Sequence, residues 1–393
     1  MNTSDIHDVT VVGAGPSGLS AAFELTRLGL TPLVLERTLA VGDVWRHHYD
    51  GLRLNSGRYY SALPGSKFPL SASSWPSRDA VVSLLESMPE RGGFSVQTGV
   101  EIKNVSYDRE RNVWQIISTD NQQFESRAVV IAVGANRIPV IPEWEGKNTF
   151  TGEIIHSSQF KNAQDYAGKH VLVVGSGNSS AEIASRLAKH ATSVTMSVRT
   201  PPQILPKSIY GIPLIGIGVW TRRLPMALVD SLLGFLRRTM IGDLSAYGLP
   251  SPTMPMSKQY AINNVVPILY RPFIDDVRAG RIKIVGTIQK ISDKAVEIFS
   301  TVTTSQNNGT TRTIHPDVIV AGTGFRTGFP ELIQVPGITD EKGRPKVTSD
   351  QEFPDAPRLY FIGQVNPLSG QLNEIRQEAG KIAQKLSKQL EVK

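Results

Sequence analysis

The chain has 393 residues, enough for two or three domains, with 40% hydrophobic and 20% charged residues, an ordinary soluble composition. Cysteine is absent, which excludes disulfides, thiolate metal sites and any Cys-x-x-Cys redox pair, and suits a reducing cytoplasm. The formal charge is +7 without a lysine or arginine block long enough for a nucleic-acid arm, so it reads as scattered solvated charge plus arginines for phosphates.

Met1 to Asp8 is polar and runs straight into a strand, unlike a signal peptide. Val9 to Val12 is a β-branched run that enters the turn Gly13-Ala14-Gly15-Pro16-Ser17-Gly18. Helical spacing of Leu19, Ala22, Phe23 and Leu25 predicts a helix from Pro16 to Gly29, and Leu33 to Glu36 reads as the next strand. The three glycines have separate tasks. Gly13 permits the tight turn, Gly15 lets backbone approach a pyrophosphate, and Gly18 lets the helix pack near its strand. The free N–H groups of the helix start then face the diphosphate. Strand, turn, helix and strand in this order form the context that makes the glycine pattern specific. Further on, Val96 to Val105 and Val113 to Ile117 are expected to form strands of a small sheet, followed by the apolar run Val129 to Gly134.

A second unit repeats the pattern: Val171 to Val174, the turn Gly175-Ser176-Gly177-Asn178-Ser179-Ser180, a helix from Ser179 to His190, and the strand Ser193 to Val198. The interval from Gly13 to Gly175 is too long for a solenoid repeat and suits two separate nucleotide-binding units. The residues closing the two second strands carry opposite charge, Glu36 in the first and Arg199 in the second. An acid there hydrogen-bonds a free ribose hydroxyl, while a guanidinium takes a 2′-phosphate through its fork of donors. The contrast predicts FAD in the first unit and NADPH in the second. Ser180 replaces the third glycine and is expected to push the helix slightly off its strand. Ser197 and Thr200 offer further hydroxyl donors.

Residues 201–272 are proline-rich, aromatic and poorly periodic, predicting irregular helices over a cleft. Ile212 to Trp220 is apolar but falls short of the ~20 residues of a membrane span. Trp220, Leu232, Leu233 and Phe235 stand near Arg222, Arg223, Arg237 and Arg238. Two readings stay open: a helix pair resting on a membrane surface, or the wall of a substrate channel whose arginines attract an acidic substrate. Val318 to Gly324 resembles the earlier run, and Leu359 to Gly363 and a helix from Gln371 follow it. Having no glycine turn, this stretch is expected to return to the first domain. The predicted fold is therefore α/β, with two Rossmann-like domains: 1–164 plus 306–393 for FAD, and an inserted 165–305 for NADPH.

Between the two turns lies Phe150-Thr151-Gly152-Glu153-Ile154-Ile155-His156-Ser157-Ser158-Gln159-Phe160. FxGxxxHxxx followed by Phe or Tyr resembles the signature of flavin-containing monooxygenases, class B flavoproteins that include the plant YUCCA branch. The related Baeyer–Villiger monooxygenases carry Trp where this chain has Phe160. Gly42-Asp43-Val44-Trp45-Arg46 resembles the family's GGxW stretch, and Leu52-Arg53-Leu54-Asn55-Ser56 the segment that presents an asparagine near the flavin. Tyr60 to Gly65 and Phe68-Pro69 follow as in plant-like members. Asp317 to Phe325 resembles the second ATG-type strand, with Gly322 in the alanine position; the earlier copy has Val133 where threonine is usual.

The resemblance implies a glutathione-reductase-like two-domain flavoprotein. In this family NADPH reduces FAD, which forms a C4a-hydroperoxide with O2 and inserts one oxygen atom into a small organic substrate. The outcome is N-, S- or C-oxygenation, or oxidative decarboxylation of an aromatic 2-oxo acid. The alternatives are ketone oxygenation, a non-dithiol NADPH:acceptor reductase, and a nucleotide-binding protein without turnover. Candidate FAD-binding residues are Gly13, Gly15, Pro16, Ser17, Gly18, Glu36 and Arg37 at the first turn. Val44, Trp45, Leu54 and Asn55 follow them, with Val100, Gly134, Gly363 and Gln364 at other strand ends. Candidate NADP-binding residues are Gly175, Ser176, Gly177, Asn178, Ser179, Ser180, Arg199 and His156. Asn55 is the catalytic candidate, as a hydrogen-bond partner near the reacting flavin; its other reading is a turn residue bonded to its own backbone. His156 is assigned a structural or NADP-positioning role rather than that of a general base. Adjacent His47 and His48 point differently, so no metal site is expected. Expected partners are a small-molecule substrate and O2, with no nucleic acid and no integral membrane segment; a homodimer stays open.

Overall fold

The computed structural model describes residues 6–209, 212–214, 216, 224–263, 266–299, 311–365, 367 and 369–391. Trp220, Arg222 and Arg223, named in both readings of the 201–245 region, lie outside the described residues. The chain divides into two compact units, one of Met1–His47, Gly51–Ile138 and Phe325–Lys393, the other of His48–Asp50 and Pro139–Gly324.

The first unit is built on a parallel sheet in the order Val96–Thr98, Pro32–Glu36, His7–Val12, Gln123–Ile131, Leu359–Phe361. Its strands are near-continuous apolar runs because both faces are covered. Val9 and Val11 pack into one cluster, Val12 and Ile131 into the other. The helices Pro16–Arg27 and Gln371–Gln389 lie on the first of these faces, the latter through Leu372, Ile375, Ala379, Ile382 and Leu386. Gln123–Ile131 is long enough to serve two partnerships. Its first half pairs antiparallel with Val113–Ser118, which pairs in turn with Ile102–Asp108. The expected single strand Val96 to Val105 is thus two strands on opposite edges of the sheet. Gly99, at φ +76°, breaks the run, and the Val100 N–H leaves it to donate to the Glu36 carbonyl.

The second unit carries a five-stranded parallel sheet in the order Ile282–Val285, Ser193–Ser197, His170–Val174, Val318–Ala321, Glu153–His156. A three-stranded antiparallel sheet of Thr287–Ser292, Ala295–Phe299 and Thr311–Ile314 accompanies it. The strand Val318–Ala321 corrects the sequence expectation. It belongs to this sheet, and the chain returns to the first unit only from Phe325 onward, with Leu359–Phe361 and the last helix. The second unit accordingly runs 139–324 instead of 165–305. Within 201–272 the helices Met226–Leu236 and Met256–Asn263 form, with Arg271–Arg278 at its end. No helix among the described residues is long and apolar enough to cross a membrane.

Both sheets place the strand that enters a glycine turn next to a strand from much later in the chain. That is a topological switch point, and ligands of such sheets bind outside the carboxyl ends of the strands there. The closing contact differs between the units in one informative way. In the first, a Cβ on Gly18 would overlap the Gly13 carbonyl and come 3.3 Å from the Ala132 Cβ. In the second, Ser180 replaces that glycine, and its buried hydroxyl donates to the Gly322 carbonyl at 3.3 Å. Gly322 occupies the place of Ala132. A Cβ there would overlap the Ser180 hydroxyl and lie 3.2 Å from its Cβ. The two departures from the usual pattern are one exchange of volume between helix and strand.

Gly322→Ala is therefore expected to cost roughly 1–3 kcal/mol by overpacking, read as a lowered Tm. Adding Ser180→Gly should return part of the loss, a coupling visible only in the double variant. A Gly322→Ala protein as stable as the native one would refute the exchange.

Candidate functional site

The first glycine turn is pinned from both sides: the Gly13 N–H donates to the Leu35 carbonyl at 2.7 Å, and the Ala132 N–H to the Val12 carbonyl at 2.9 Å. The helix Pro16–Arg27 begins at Gly15 with no side-chain cap and no acid in its first turn. Its opening N–H groups are left for an external acceptor, which at a helix N-terminus means an anion. A Cβ on Gly15 would meet no protein atom within 4 Å, so protein packing does not demand glycine there. The Glu36 carboxylate is fixed beside this turn. Its Oε2 accepts from the Ala14 N–H at 2.7 Å, and its Oε1 from the Thr38 N–H at 3.0 Å and hydroxyl at 2.9 Å. A carboxylate has about four acceptor sites, so one remains for a sugar hydroxyl. Arg37 is exposed next to it. Its charge, after burial, lowers the pKa of the partly buried Arg137, whose carboxylate partner Glu101 stands at 4.0 Å. Sequence reasoning did not find Arg137.

Two other candidates in this unit have buried acceptors that no described residue satisfies: Asn55 Oδ1 and Gln364 Oε1. Such an atom costs about 1–3 kcal/mol when left without a donor. Both were singled out for flavin binding, and a bound ligand with donors at these points fits them. Asn55 Oδ1 is not occupied by a turn hydrogen bond. Leu54 beside it is buried, and Trp45 packs against the core while Val44 is 56% exposed. Ser17 and Gly363 are in close approach, since a Cβ on Gly363 would overlap the Ser17 hydroxyl. Gly134 is open, with no protein atom within 4 Å of its added Cβ. The Gly363 N–H donates at 2.8 Å to Glu378, a buried carboxylate missed in the sequence. Its signal was there: Glu378 lies in the apolar stripe between Ile375 and Ile382.

In the second unit the helix Asn178–Leu187 starts at Gly177 with the same uncapped, acid-free first turn, and a Cβ on Gly177 again meets nothing within 4 Å. Gly175 donates to the Ser197 carbonyl at 3.0 Å and Gly322 to that of Val174 at 2.7 Å. Some expected side-chain ligands are spent elsewhere. Asn178 accepts from the Leu269 N–H at 3.0 Å and donates to the Pro267 carbonyl at 2.8 Å, leaving only its backbone for a phosphate. Ser197 is buried and donates to the Gly286 carbonyl at 2.7 Å, which removes it as a hydroxyl donor. Ser180 holds Gly322, as above; Ser176 is partly buried, Ser179 and Thr200 exposed. Arg199 is exposed, and no carboxylate among the described residues pairs with it. By contrast, Arg186 and Arg281 are engaged with Glu182 and Asp276 at 2.8 and 2.7 Å.

The Phe150 to Phe160 segment is scaffolding for this unit. Phe150 packs beside the cluster of Leu172, Ile298 and Ile319. A Cβ on Gly152 would overlap the Asp317 carbonyl. His156 is buried with Nε2 3.0 Å from the Gly324 carbonyl and Nδ1 accepting from the Ser158 N–H at 3.2 Å, an arrangement of the neutral Nε2–H tautomer. Burial lowers its pKa, opposed by the Gly324 carbonyl. Phe160 is fully buried, edge-on to Tyr49 at 6.1 Å and stacked on Tyr166 at 5.6 Å. The Arg186 guanidinium covers the Tyr49 ring at 5.0 Å, and burial with Glu182 pushes the phenol well above its ordinary range.

Residues 10–210 match the family model described as pyridine nucleotide-disulphide oxidoreductase. The chain is 30% identical over 356 residues to indole-3-pyruvate monooxygenase YUCCA1 of Oryza sativa subsp. japonica, covering 90% of this chain and 85% of that one. It is 31% identical over 364 residues to the probable indole-3-pyruvate monooxygenase YUCCA9 of Arabidopsis thaliana, with 91% and 84% covered. Its fold is similar to that of a flavin-containing monooxygenase from Stenotrophomonas maltophilia, at a TM-score of 0.73 and 22% identity over 98% of this chain and 99% of that one.

Glu378 gives the first unit a pH signature. Burial pushes its carboxyl up to about 7, against the opposing Gly363 N–H; Glu374 adds to the rise and Lys381 counters it. The folded state thus holds a proton that the unfolded chain releases near 4.5. The resulting stabilisation, on the order of 3 kcal/mol, is complete below the unfolded value and lost as pH rises through 7. Glu378→Gln keeps the acceptor and removes the titration. The Tm of native protein minus that of the variant should fall between pH 5 and pH 8. A difference that stays constant would show that Glu378 titrates normally.

Proposed function

This chain belongs to the pyridine nucleotide-disulphide oxidoreductase family, on the flavin-monooxygenase branch with the YUCCA enzymes, and we propose that it decarboxylates an aromatic 2-oxo acid oxidatively. It is an FAD- and NADPH-dependent monooxygenase. The 2-oxo acid reading draws on the indole-3-pyruvate specificity that the names of its relatives state. In this reading a 2-oxo acid, O2, NADPH and a proton give the acid one carbon shorter, CO2, water and NADP⁺. The C1–C2 bond breaks, and one oxygen atom enters the product.

We assign the first unit to FAD and the second, carried as an insertion within the first, to NADPH, each a dinucleotide-binding domain. Glu36 takes the ribose of FAD, and the N–H groups behind Gly15 take its diphosphate. The N–H groups behind Gly177 take the NADPH diphosphate, and Arg199 its 2′-phosphate. When bound, the flavin supplies hydride acceptance and oxygen activation, chemistry that no side chain here offers. Asn55 and Gln364 hold hydrogen bonds at their buried oxygens and keep water from those points. His156, neutral and enclosed, orients the Gly322–Gly324 backbone and moves no proton. Without cysteine a dithiol relay is impossible, and the monooxygenase names of the relatives favour oxygenation over the non-dithiol reductase alternative. A cytoplasmic setting fits the same absence.

The observation that carries the cofactor assignment is the exposed, carboxylate-free Arg199, one residue beyond Val198, which the strand registers make the counterpart of Glu36. Hydrogen bonds to charged groups contribute about 1.5–3 kcal/mol, so Arg199→Ala should raise KM for NADPH roughly ten- to hundredfold. KM for NADH should stay unchanged. An unaltered KM for NADPH would remove Arg199 from the site. For the substrate, NADPH consumption is expected to rise with indole- or phenyl-2-oxo acids and to match CO2 release. Turnover confined to amines and sulfides would overturn the 2-oxo acid reading while leaving the cofactor assignment intact.

A further inference from the structure

The helix Met226–Leu236 is built inside out. Leu228, Leu232 and Phe235, spaced i, i+4, i+7, share one face and are 57%, 39% and 62% exposed. The opposite face is the buried one, through Leu233, and it carries the charges. Asp230 on that face accepts from both the N–H and the hydroxyl of Ser257, and Arg237 donates to the Ser251 hydroxyl at 3.0 Å. A surface helix of a soluble protein ordinarily shows the reverse polarity. A contiguous outward apolar stripe marks a surface that meets something.

The surrounding charge says what. From Leu224 to Asn263 the sequence contains only two carboxylates, Asp230 and Asp243. The first is turned into the Ser257 contact, and the second is held by the Ser245 N–H at 3.0 Å and hydroxyl at 2.6 Å. Arg238, one turn beyond the stripe, is exposed with no carboxylate among the described residues paired to it, and Lys258 on the adjoining helix is exposed too. A second copy of the chain docking face to face would press this basic, carboxylate-poor patch against an identical one, since a two-fold interface buries the same surface on both copies. An anionic lipid surface meets both features at once, taking the stripe into the acyl boundary and the cations at the headgroups. We infer that this helix rests on anionic membrane surfaces and holds the enzyme there peripherally. The apolar stripe is short and the cations few, so the attachment is weak and reversible.

The test is co-sedimentation of the FAD-loaded full chain with vesicles of phosphatidylcholine alone or mixed equally with phosphatidylglycerol. At low salt, binding to the anionic vesicles should exceed binding to the neutral ones roughly tenfold, since each cation near such a surface contributes about 1 kcal/mol. High salt should largely abolish it. The triple change Leu228→Ser, Leu232→Ser, Phe235→Ser should remove binding, and Arg238→Glu should remove its preference for anionic lipid. Both variants alter exposed side chains; a raised KM for the 2-oxo acid in either, with vesicle binding unchanged, would return these residues to a substrate-channel wall and overturn the inference. Absent binding, equal binding to both vesicle types, or binding untouched by the triple change would each overturn the inference. So would light scattering that shows a dimer which the triple change dissolves, because the face would then be covered by protein.

Discussion

Both units rest on the same constraint: a buried parallel strand must reverse into a helix within a few residues without leaving backbone groups stranded. Only backbone without side chains passes at that spot. Gly13, at φ +105°, would bring a Cβ to 2.7 Å from the Ala132 carbonyl, and Gly175, at φ +120°, is equally confined. The reversal leaves the first N–H groups of a helix facing outward at the carboxyl edge of the sheet. Because no side chain caps them, the polypeptide delivers an anion-binding site as a by-product of its own chain reversal. Discrimination between ligands would then be a second-order matter, for which the charge next to the neighbouring strand is the proposed determinant.

That division explains what was legible in the sequence. The turns and their closing residues are local, with every relevant residue inside a window of about thirty, the span of one βαβ unit. Gly15 and Gly18 lie at the first turn and Glu36 at the end of its strand, while Arg199 follows its strand by two residues. Long-range pairing is not local. Val318–Ala321 has no neighbour that says which sheet it joins, and its partners Glu153–His156 and His170–Val174 lie over a hundred residues upstream. Its likeness to Val129 to Gly134 was the usable clue, since both runs supply the strand beside a glycine turn. Reading it as a return to the first unit ignored that parallel. Gly99 was similarly visible but undervalued, as one left-handed residue sends the chain from one edge of the sheet to the other.

Side-chain roles were the hardest to foresee, because a polar residue near a ligand-binding turn has two employers. Asn178 and Ser197 sit at the second turn, yet both satisfy backbone groups of the segments 267–269 and Gly286. Nothing in their immediate sequence announces those partners. Asn55 and Gln364 show the opposite outcome: buried oxygens with no described donor, in a protein interior where such atoms are ordinarily paired. Glu378 falls between, a charge-bearing group in an apolar stripe whose single bonded N–H, on Gly363, ties the last helix to the backbone that meets Ser17.

The Phe150 to Phe160 segment resembles an enzyme's signature but makes no chemistry of its own. Its histidine has both ring nitrogens engaged, its last aromatic ring is buried edge-on to Tyr49 and stacked on Tyr166, and its glycine makes room for the Asp317 carbonyl. The histidine and the glycine meet the strand Val318–Ala321 at its two ends. The strand Glu153–His156 pairs along its whole length, and His156 grips the carbonyl of Gly324 just beyond. Gly322 is the residue that yields room to Ser180 at the start of the helix Asn178–Leu187. The signature therefore sets the position of backbone that packs against the second glycine turn. A sequence motif can report catalysis faithfully while its side chains only hold the frame, provided the frame is what the cofactor must fit.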